Sequence, residues 1–122
     1  MKIERFEDIK AWQAARVLAN LVYDAIDSGN IARDFGLRDQ IRGAAGSVMH
    51  NIAEGFESGS DADFIRFLKY ARHSASEVQS EGYLALDRIY ITEQQFQSIY
   101  DKATDAKKLI NAFIGYLGRH SA

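Results

Sequence analysis

Apolar residues in the C-terminal part of the chain recur at alternating intervals of three and four. The series runs Phe96, Ile99, Ala103, Ala106, Ile110, Phe113 and Leu117. This period places all of its members on one face of an α-helix, whereas a β-strand alternates its faces every second residue. Because no alternating stretch competes with the helical pattern elsewhere, the sequence predicts an all-α protein.

Two helices are predicted in the N-terminal half, with a glycine-containing break between them. Asp8 is the expected N-cap of a first helix that ends near Ser28. Gly29 is expected to adopt the left-handed conformation that commonly terminates a helix. The second helix is predicted from about Leu37 to Glu57.

Two capping boxes predict where the remaining helices begin. Ser60-Asp-Ala-Asp63 precedes a long third helix whose apolar stripe continues to Ile89. Thr92-Glu-Gln-Gln95 precedes the fourth helix, and Gly118 with a short polar segment closes the sequence.

The second helix is unusually rich in small residues. Its apolar positions are Ile41, Ala44 or Ala45, Val48 and Ile52. Three polar residues are expected close to that face: Ser47, Asn51 and Glu54. Gly43 and Gly46 each lower helix propensity by up to ~1 kcal/mol relative to Ala, which favours close packing against another helix.

The chain has 122 residues, of which 47% are hydrophobic, and it contains no proline. A chain of this length forms one domain with a proper core, and the absence of proline suits long helices. Because short connections make sequential helices antiparallel neighbours, we predict one domain over residues 1–122, an up-down-up-down four-helix bundle.

Charge and composition restrict the functional classes. A net charge of -2 provides no general attraction to nucleic acid or to anionic membranes. Cysteine is absent, which excludes disulfides and thiolate metal sites. No apolar run approaches the ~20 residues of a membrane span, and the charged N-terminus does not resemble a signal peptide. A cytoplasmic protein is expected.

Several apolar residues lie beside the main stripes. They are Leu21, Tyr70, Tyr83, Tyr90, Tyr100, Ile114 and Tyr116. Single exposed apolar residues are common, but a surplus on three helices favours an interface. We therefore expect self-association.

Motifs along most of the chain resemble those of one protein family. The first helix contains Trp12-Gln-Ala-Ala15 and Tyr23, and the second begins with Phe35-Gly-Leu37 and Gln40-Ile-Arg42. The most specific motif is Asn51, Ile52, Ala53, Glu54 and Gly55. The third helix adds Phe67-Leu68 with Ala71, Ser74 and Glu77. In this order and spacing they resemble the bacterial proteins named for intervening sequences of 23S rRNA genes.

The resemblance implies a small cytoplasmic four-helix bundle that assembles as a homo-oligomer, with a ring-like pentamer as the expected form. It implies neither catalytic residues nor a cofactor. One related branch consists of accessory proteins of diversity-generating retroelements, which bind a reverse transcriptase and nucleic acid. That branch is strongly basic, whereas the net charge here is -2.

The residues themselves leave two binding hypotheses open. Arg38 and Arg42 on the second helix could form a basic stripe with Arg66, Lys69 and Arg72 on the third. The alternative interpretation is a solvated face of ion pairs, since acidic residues lie beside them and no stacking aromatics are evident among them.

The second binding hypothesis is a metal or small-molecule site. His50 and Glu54 are four residues apart, as are His73 and Glu77, so two helices could supply four ligands. Local helical contacts are the alternative. No catalytic, cofactor or metal residues are predicted, because the chain lacks a nucleophile motif, a phosphate loop and paired Glu-x-x-His motifs. The sequence thus predicts a non-enzymatic interaction or scaffold protein.

Overall fold

The computed structural model describes residues 3–120 and confirms the all-α prediction. Four helices follow one another: α1 (Lys10–Ser28), α2 (Phe35–Glu57), α3 (Asp61–Asp87) and α4 (Glu93–His120). Short 3-10 turns cover Phe6–Asp8 and Asn30–Arg33. The described residues contain no β-strand.

The helices pack in a closed cycle, α1 on α2, α2 on α3, α3 on α4 and α4 on α1. Contacts between α2 and α3 show their relative direction. At the start of α2, Asp34 accepts a hydrogen bond from the hydroxyl of Tyr90, which follows α3. At the other end of α2, Gly55 lies against Phe64 at the start of α3. The two helices therefore run in opposite directions, as the bundle prediction requires.

The predicted stripes form the core. In α4, every member of the series is buried except Phe113, which is half-buried. The apolar positions predicted in α2 are all buried, and Ile52 is completely so. The prediction was wrong for Ile89, which is 83% exposed because α3 ends at Asp87 and the chain turns away from the core.

Both capping predictions place a helix start correctly. The N–H of Gln95 donates to the Thr92 hydroxyl over 3.0 Å, and the N–H of Thr92 donates to Gln95 Oε1 over 2.9 Å. At the start of α3, Ser60 Oγ accepts from the N–H of Asp63 over 3.2 Å. The Asp63 carboxylate pairs with Arg66 instead of completing the box.

Two other helix starts differ from prediction. Asp8 belongs to the 3-10 turn, and its carboxylate accepts hydrogen bonds from preceding backbone N–H groups, so Ile9 occupies the N-cap position of α1. The second helix begins at Phe35, because Asp34 Oδ1 accepts the N–H of Leu37 over 3.1 Å and acts as the N-cap.

The prediction for Gly29 was also wrong. Gly29 has φ -143°, an extended conformation, and not the left-handed one. A Cβ there would lie 2.6 Å from the carbonyl oxygen of Tyr90, so the requirement for glycine is a close backbone approach. Gly118 lies within α4, which continues to His120.

The turn after α3 has an unusual residue in the left-handed region. The N–H of Tyr90 donates to the carbonyl of Ala85, and the N–H of Ile89 donates to that of Leu86. This is the Schellman arrangement, in which glycine usually occupies the left-handed position. Here Ile89 does so, with φ 60°, although a β-branched residue is strained in that conformation.

No helix within residues 3–120 is both long enough and apolar enough to cross a membrane.

Candidate functional site

The family motif, Asn51 to Gly55, lies in the last third of α2. Asn51 Nδ2 donates to the carbonyl of Ser47 over 2.8 Å and to its hydroxyl over 2.9 Å. The buried Ser74 of α3 donates its hydroxyl to Ser47 Oγ over 3.0 Å. These bonds form a polar bridge between α2 and α3 inside an otherwise apolar seam, and such networks specify one packing register.

The remaining motif residues have separate environments. Ile52 is in the core and Ala53 is half-buried, whereas Glu54 is exposed and does not lie near the apolar seam as predicted. Gly55 is buried, and a Cβ on it would come within 2.7 Å of Phe64 Cδ1. At Asn51 the motif therefore holds Ser47, which carries the contact to α3, and at Gly55 it permits the close approach of the two helices.

The other two glycines of α2 do not have this role. A Cβ at Gly43 would meet no atom within 4 Å, and one at Gly46 would meet only the ring of His50 on the same helix. The expectation of close helix packing at these positions was wrong, since propensity alone does not reveal what lies opposite a glycine.

An open groove of about 980 Å³ lies at the end of the bundle where α2 ends and α3 begins. We call it the end groove. Its apolar walls come from all four helices and include Ala11, Gly55, Phe56, Phe64, Leu109, Ala112, Phe113 and Leu117. Its polar lining residues include Asp8, Lys10, Ser60 and Asp61. Because the contributing residues are distant in sequence, no local motif could reveal this groove.

The opposite end of the bundle presents two large apolar side chains to solvent. Phe35 is 66% exposed and Ile89 is 83% exposed, and we call this pair the apolar tip. The bond between Asp34 and Tyr90 shows that both belong to the same end. The guanidinium of Arg38 lies over the Phe35 ring, 4.8 Å from its centroid.

The predicted surplus of apolar surface is only partly exposed. Tyr70, Tyr83 and Tyr116 are about half-exposed, whereas Leu21, Tyr90, Tyr100 and Ile114 are half-buried against the core. Exposed apolar residues outside that group are Val17, Tyr23, Phe35, Leu84 and Ile89.

The five predicted basic residues are divided between the two ends of the bundle. Arg38 and Arg42 lie near the start of α2, and each is 3.0 Å from Asp39 Oδ1. The hydrogen bond from Arg38 holds the pKa of Asp39 below its ordinary value, and Arg42 adds to this effect. This part of the predicted stripe is thus an ion-paired surface.

The α3 members lie toward the other end. Arg66 pairs with Asp63 over 3.2 Å, and its guanidinium also lies 4.8 Å from the Phe67 centroid and 5.8 Å from that of Tyr70. Lys69 is exposed on the adjacent turn. Basic and aromatic side chains therefore do alternate here, contrary to the prediction from the sequence.

Arg72 faces α4 instead. Its Nη1 donates to Asn111 Oδ1 over 2.7 Å, so the side chain links two helices of the same bundle. The structure does not bring the five basic residues together in one continuous stripe.

The two His–Glu pairs are exposed on α2 and α3. Within residues 3–120, no group of three or more His, Asp and Glu residues is arranged to hold a metal ion. The proposed four-ligand arrangement of His50, Glu54, His73 and Glu77 is therefore not formed among these residues.

One titratable residue was not predicted at all. Glu81 of α3 has a buried Oε1 with no hydrogen-bond partner among residues 3–120, although the rest of the side chain is partly exposed. Burial and the nearby negative charge of Glu77 raise the pKa of Glu81 to about 7. Periodicity could not identify it, because the shift depends on what lies opposite α3.

Taken together, the polar bridge, the end groove and the apolar tip define an all-α bundle whose distinctive features are surfaces and packing contacts. A family model described as 23S rRNA-intervening sequence protein matches residues 7–112. The chain belongs to that family, and the resemblance inferred from its motifs is confirmed. No curated protein matches the chain.

A solved relative supports the same assignment. It is the crystal structure of a protein of unknown function from the S23 ribosomal protein family of Bacteroides thetaiotaomicron. It is 30% identical to this chain, has a TM-score of 0.72, and the alignment covers 86% of this chain and 94% of that one.

Proposed function

We propose that the chain is a non-enzymatic interaction module that works as a homo-oligomer, assembled as a ring-shaped pentamer. The observation that carries this proposal is the exposure of large apolar side chains, above all Phe35 at 66% and Ile89 at 83%. Contiguous exposed apolar surface is characteristic of interaction sites.

The test is the mass of the untagged protein in solution, measured by light scattering after size-exclusion chromatography. A single chain has a mass of 13.7 kDa, and we expect a species of about five times that mass at micromolar concentration. A single-chain mass across the concentration range refutes self-association, and a stable assembly of another size refutes the pentamer.

A second proposed function is binding of RNA or DNA, either directly or beside a reverse transcriptase. The arrangement of Arg66, Lys69 and Tyr70 on α3 favours it, because single-stranded nucleic acid is bound by cationic side chains next to aromatic rings on which bases stack. A ring would repeat this patch in every copy, which would strengthen binding through multivalency.

Gel mobility shift with single-stranded RNA and DNA at low salt tests this function. We expect a micromolar complex that weakens as salt increases and that Lys69→Glu together with Tyr70→Ser abolishes. The matched control is Lys108→Glu with Tyr23→Ser, on α4 and α1. No shift at low salt, or equal loss in the control, argues against the patch.

A further inference from the structure

The outer seam between α3 and α4 contains two basic side chains whose hydrogen-bond acceptors are neutral. Arg72 Nη1 donates to Asn111 Oδ1 over 2.7 Å, and Lys107 Nζ donates to Ser76 Oγ over 3.3 Å. We call these four residues the basic seam. Among residues 3–120, neither Arg72 nor Lys107 forms an ion pair with a carboxylate. Their positive charges are therefore not neutralised within this part of the bundle.

Helix geometry places the four residues of the basic seam close together. Arg72 and Ser76 are one turn apart on α3, and Lys107 and Asn111 are one turn apart on α4. Residues at this spacing have Cβ atoms about 5–6 Å apart, so the two bonds between the helices are neighbours. A guanidinium from one helix and an ammonium from the other thus reach the same short stretch of surface.

A buried amide holds the ammonium of Lys107 in place. Gln79 is 7% exposed, and its Nε2 donates to the carbonyl of Tyr100 over 3.1 Å and to Thr104 Oγ1 over 2.9 Å. Its Oε1 accepts from Lys107 Nζ over 2.7 Å. Because the ammonium is already ordered by these bonds, a ligand that binds it has less conformational entropy to remove.

The hydrogen-bonding capacity left in the basic seam consists of donors. An ammonium has three donors and a guanidinium has five, of which Lys107 uses two and Arg72 uses one. The Ser76 hydroxyl accepts from Lys107, so its own proton is free to donate. Asn111 accepts through Oδ1 and retains its amide N–H groups. Donors grouped around two cations match an anion with several acceptor oxygens.

Two further basic residues lie at the edges of the seam. Lys69 precedes Arg72 by three residues on α3, and Lys108 precedes Asn111 by three residues on α4. Both side chains are exposed. They increase the positive potential that attracts an anion from solution.

The acidic residues nearest to the seam in sequence are directed elsewhere. Glu77 projects about 100° away from its neighbour in the seam, and its charge acts on Glu81 instead. Asp105 pairs with Lys102 over 3.6 Å. Asp101 accepts a hydrogen bond from an exposed glutamine on its own helix, more than one turn before the seam. The seam therefore remains a positively charged strip.

We propose that the basic seam binds a doubly charged phosphate, either free inorganic phosphate or the terminal phosphate of a small organic molecule. Arg72 and Lys107 neutralise its charge from opposite helices, and Ser76 and Asn111 donate to its oxygens. A terminal phosphate offers three acceptor oxygens and a charge of roughly -1.5 to -2 at neutral pH, whereas a phosphodiester has less charge and fewer free oxygens. This site goes beyond the self-association and nucleic-acid binding proposed above and depends on neither.

Isothermal titration calorimetry of the full chain tests the site. The probes are sodium phosphate and glycerol phosphate, with sodium chloride keeping the ionic strength constant. We expect saturable binding of one phosphate per chain and an accompanying rise in Tm. Equal affinity for both probes assigns the free ion and tighter binding of glycerol phosphate assigns an organic ligand, and either result supports the site. Failure of both probes to bind saturably overturns it.

Ser76→Asp blocks the site with an acceptor from the chain itself. The new carboxylate would pair with Lys107 and Arg72, so we expect Tm to be unchanged or higher and phosphate affinity to fall about tenfold or more. Ser98→Asp is the matched control, because it adds the same charge at an exposed position on the α1 side of α4. Wild-type affinity in Ser76→Asp, or equal loss in the control, overturns the proposal.

Removal of a cation tests the same site independently. Lys107→Gln removes the ammonium but keeps a polar side chain beside Gln79, and it should weaken phosphate binding about tenfold or more. Lys102→Gln removes the same charge from the same helix and should bind phosphate like the wild type. Similar loss in the two variants would show that net charge, and not the seam, determines binding.

Single-stranded DNA without terminal phosphates distinguishes this ligand from a nucleic-acid backbone. Such DNA offers only phosphodiesters, so we expect its binding to be insensitive to Ser76→Asp. DNA binding that Ser76→Asp abolishes, in a protein that does not bind either phosphate probe, overturns the proposed ligand. That result leaves the separate patch of Arg66, Lys69 and Tyr70 to be judged by its own variants.

Discussion

Replacement of Ile89 by glycine should stabilise the folded chain, although it removes a large apolar residue. A residue with a Cβ in the left-handed conformation costs about 1–2 kcal/mol, which glycine does not incur. The apolar contribution lost is small, because Ile89 is 83% exposed and full burial of such a side chain contributes only about 1.5–3 kcal/mol.

The flexibility of glycine in the unfolded chain offsets part of the gain, by roughly 0.5–1 kcal/mol. After the lost burial of roughly 0.3–0.5 kcal/mol is also subtracted, a net stabilisation of about 0.3–0.5 kcal/mol remains. For a chain of this size it corresponds to an increase in Tm of roughly 1–2 °C.

Urea denaturation followed by circular dichroism measures this effect. Both proteins should be measured at the same concentrations over a tenfold range, so that any contribution of association to stability is detected. We expect a higher midpoint with an unchanged slope. Ile89→Ala is the control, since it removes most of the same side chain but retains the left-handed cost, and it should show no gain. A midpoint for the glycine variant that equals or falls below that of the alanine variant would refute the reasoning.

Three further predictions concern the fold. Gly55→Ala should destabilise the folded chain by about 1–3 kcal/mol, because the new Cβ would lie 2.7 Å from Phe64. Gly43→Ala should stabilise it by about 0.5–1 kcal/mol, because a Cβ there would meet no atom within 4 Å. Equal urea midpoints for the two variants would contradict the packing role of Gly55. Thr92→Ala should cost about 1 kcal/mol by removing the cap of α4, and Thr92→Ser should restore most of it. Glu81 has a folded pKa of about 7, above its ordinary value of 4.5, so its contribution to stability is fully present below pH 4.5 and is lost as the pH rises through 7. After allowance for solvent screening, we expect the free energy of unfolding to fall by about 1 kcal/mol over this pH range, and Glu81→Gln should remove this change. If the pH dependence survives the substitution, another group causes it.

The sequence could predict features whose cause lies within one helix. The helical period of α4 identified its buried face, and the paired bonds of Thr92 and Gln95 identified where it begins. Both depend on residues at most a few turns apart. The end of α3 was missed because Ile89 continues the apolar period, while the chain there has already left the helix.

Features that depend on residues distant in sequence could not be predicted from local sequence patterns. Gly29 is required because the carbonyl oxygen of Tyr90 approaches it closely. The two residues lie in different loops, Gly29 after α1 and Tyr90 after α3. The end groove combines residues from all four helices. The same limit applies to Glu81, whose buried oxygen depends on the helices packed around α3.

The polar bridge explains how the two ends of the bundle remain in a fixed relation. An apolar seam of small residues would allow α2 and α3 to pack in neighbouring registers at similar energy. A shift would move the buried hydroxyl of Ser74 away from Ser47 and leave it without its hydrogen bond, at a cost of about 1–3 kcal/mol. It would also bring Gly55 out of line with Phe64, whose close approach requires the missing Cβ. Because α2 contributes Phe35 at one end and Gly55 at the other, the register that these contacts select also sets the separation between the apolar tip and the end groove.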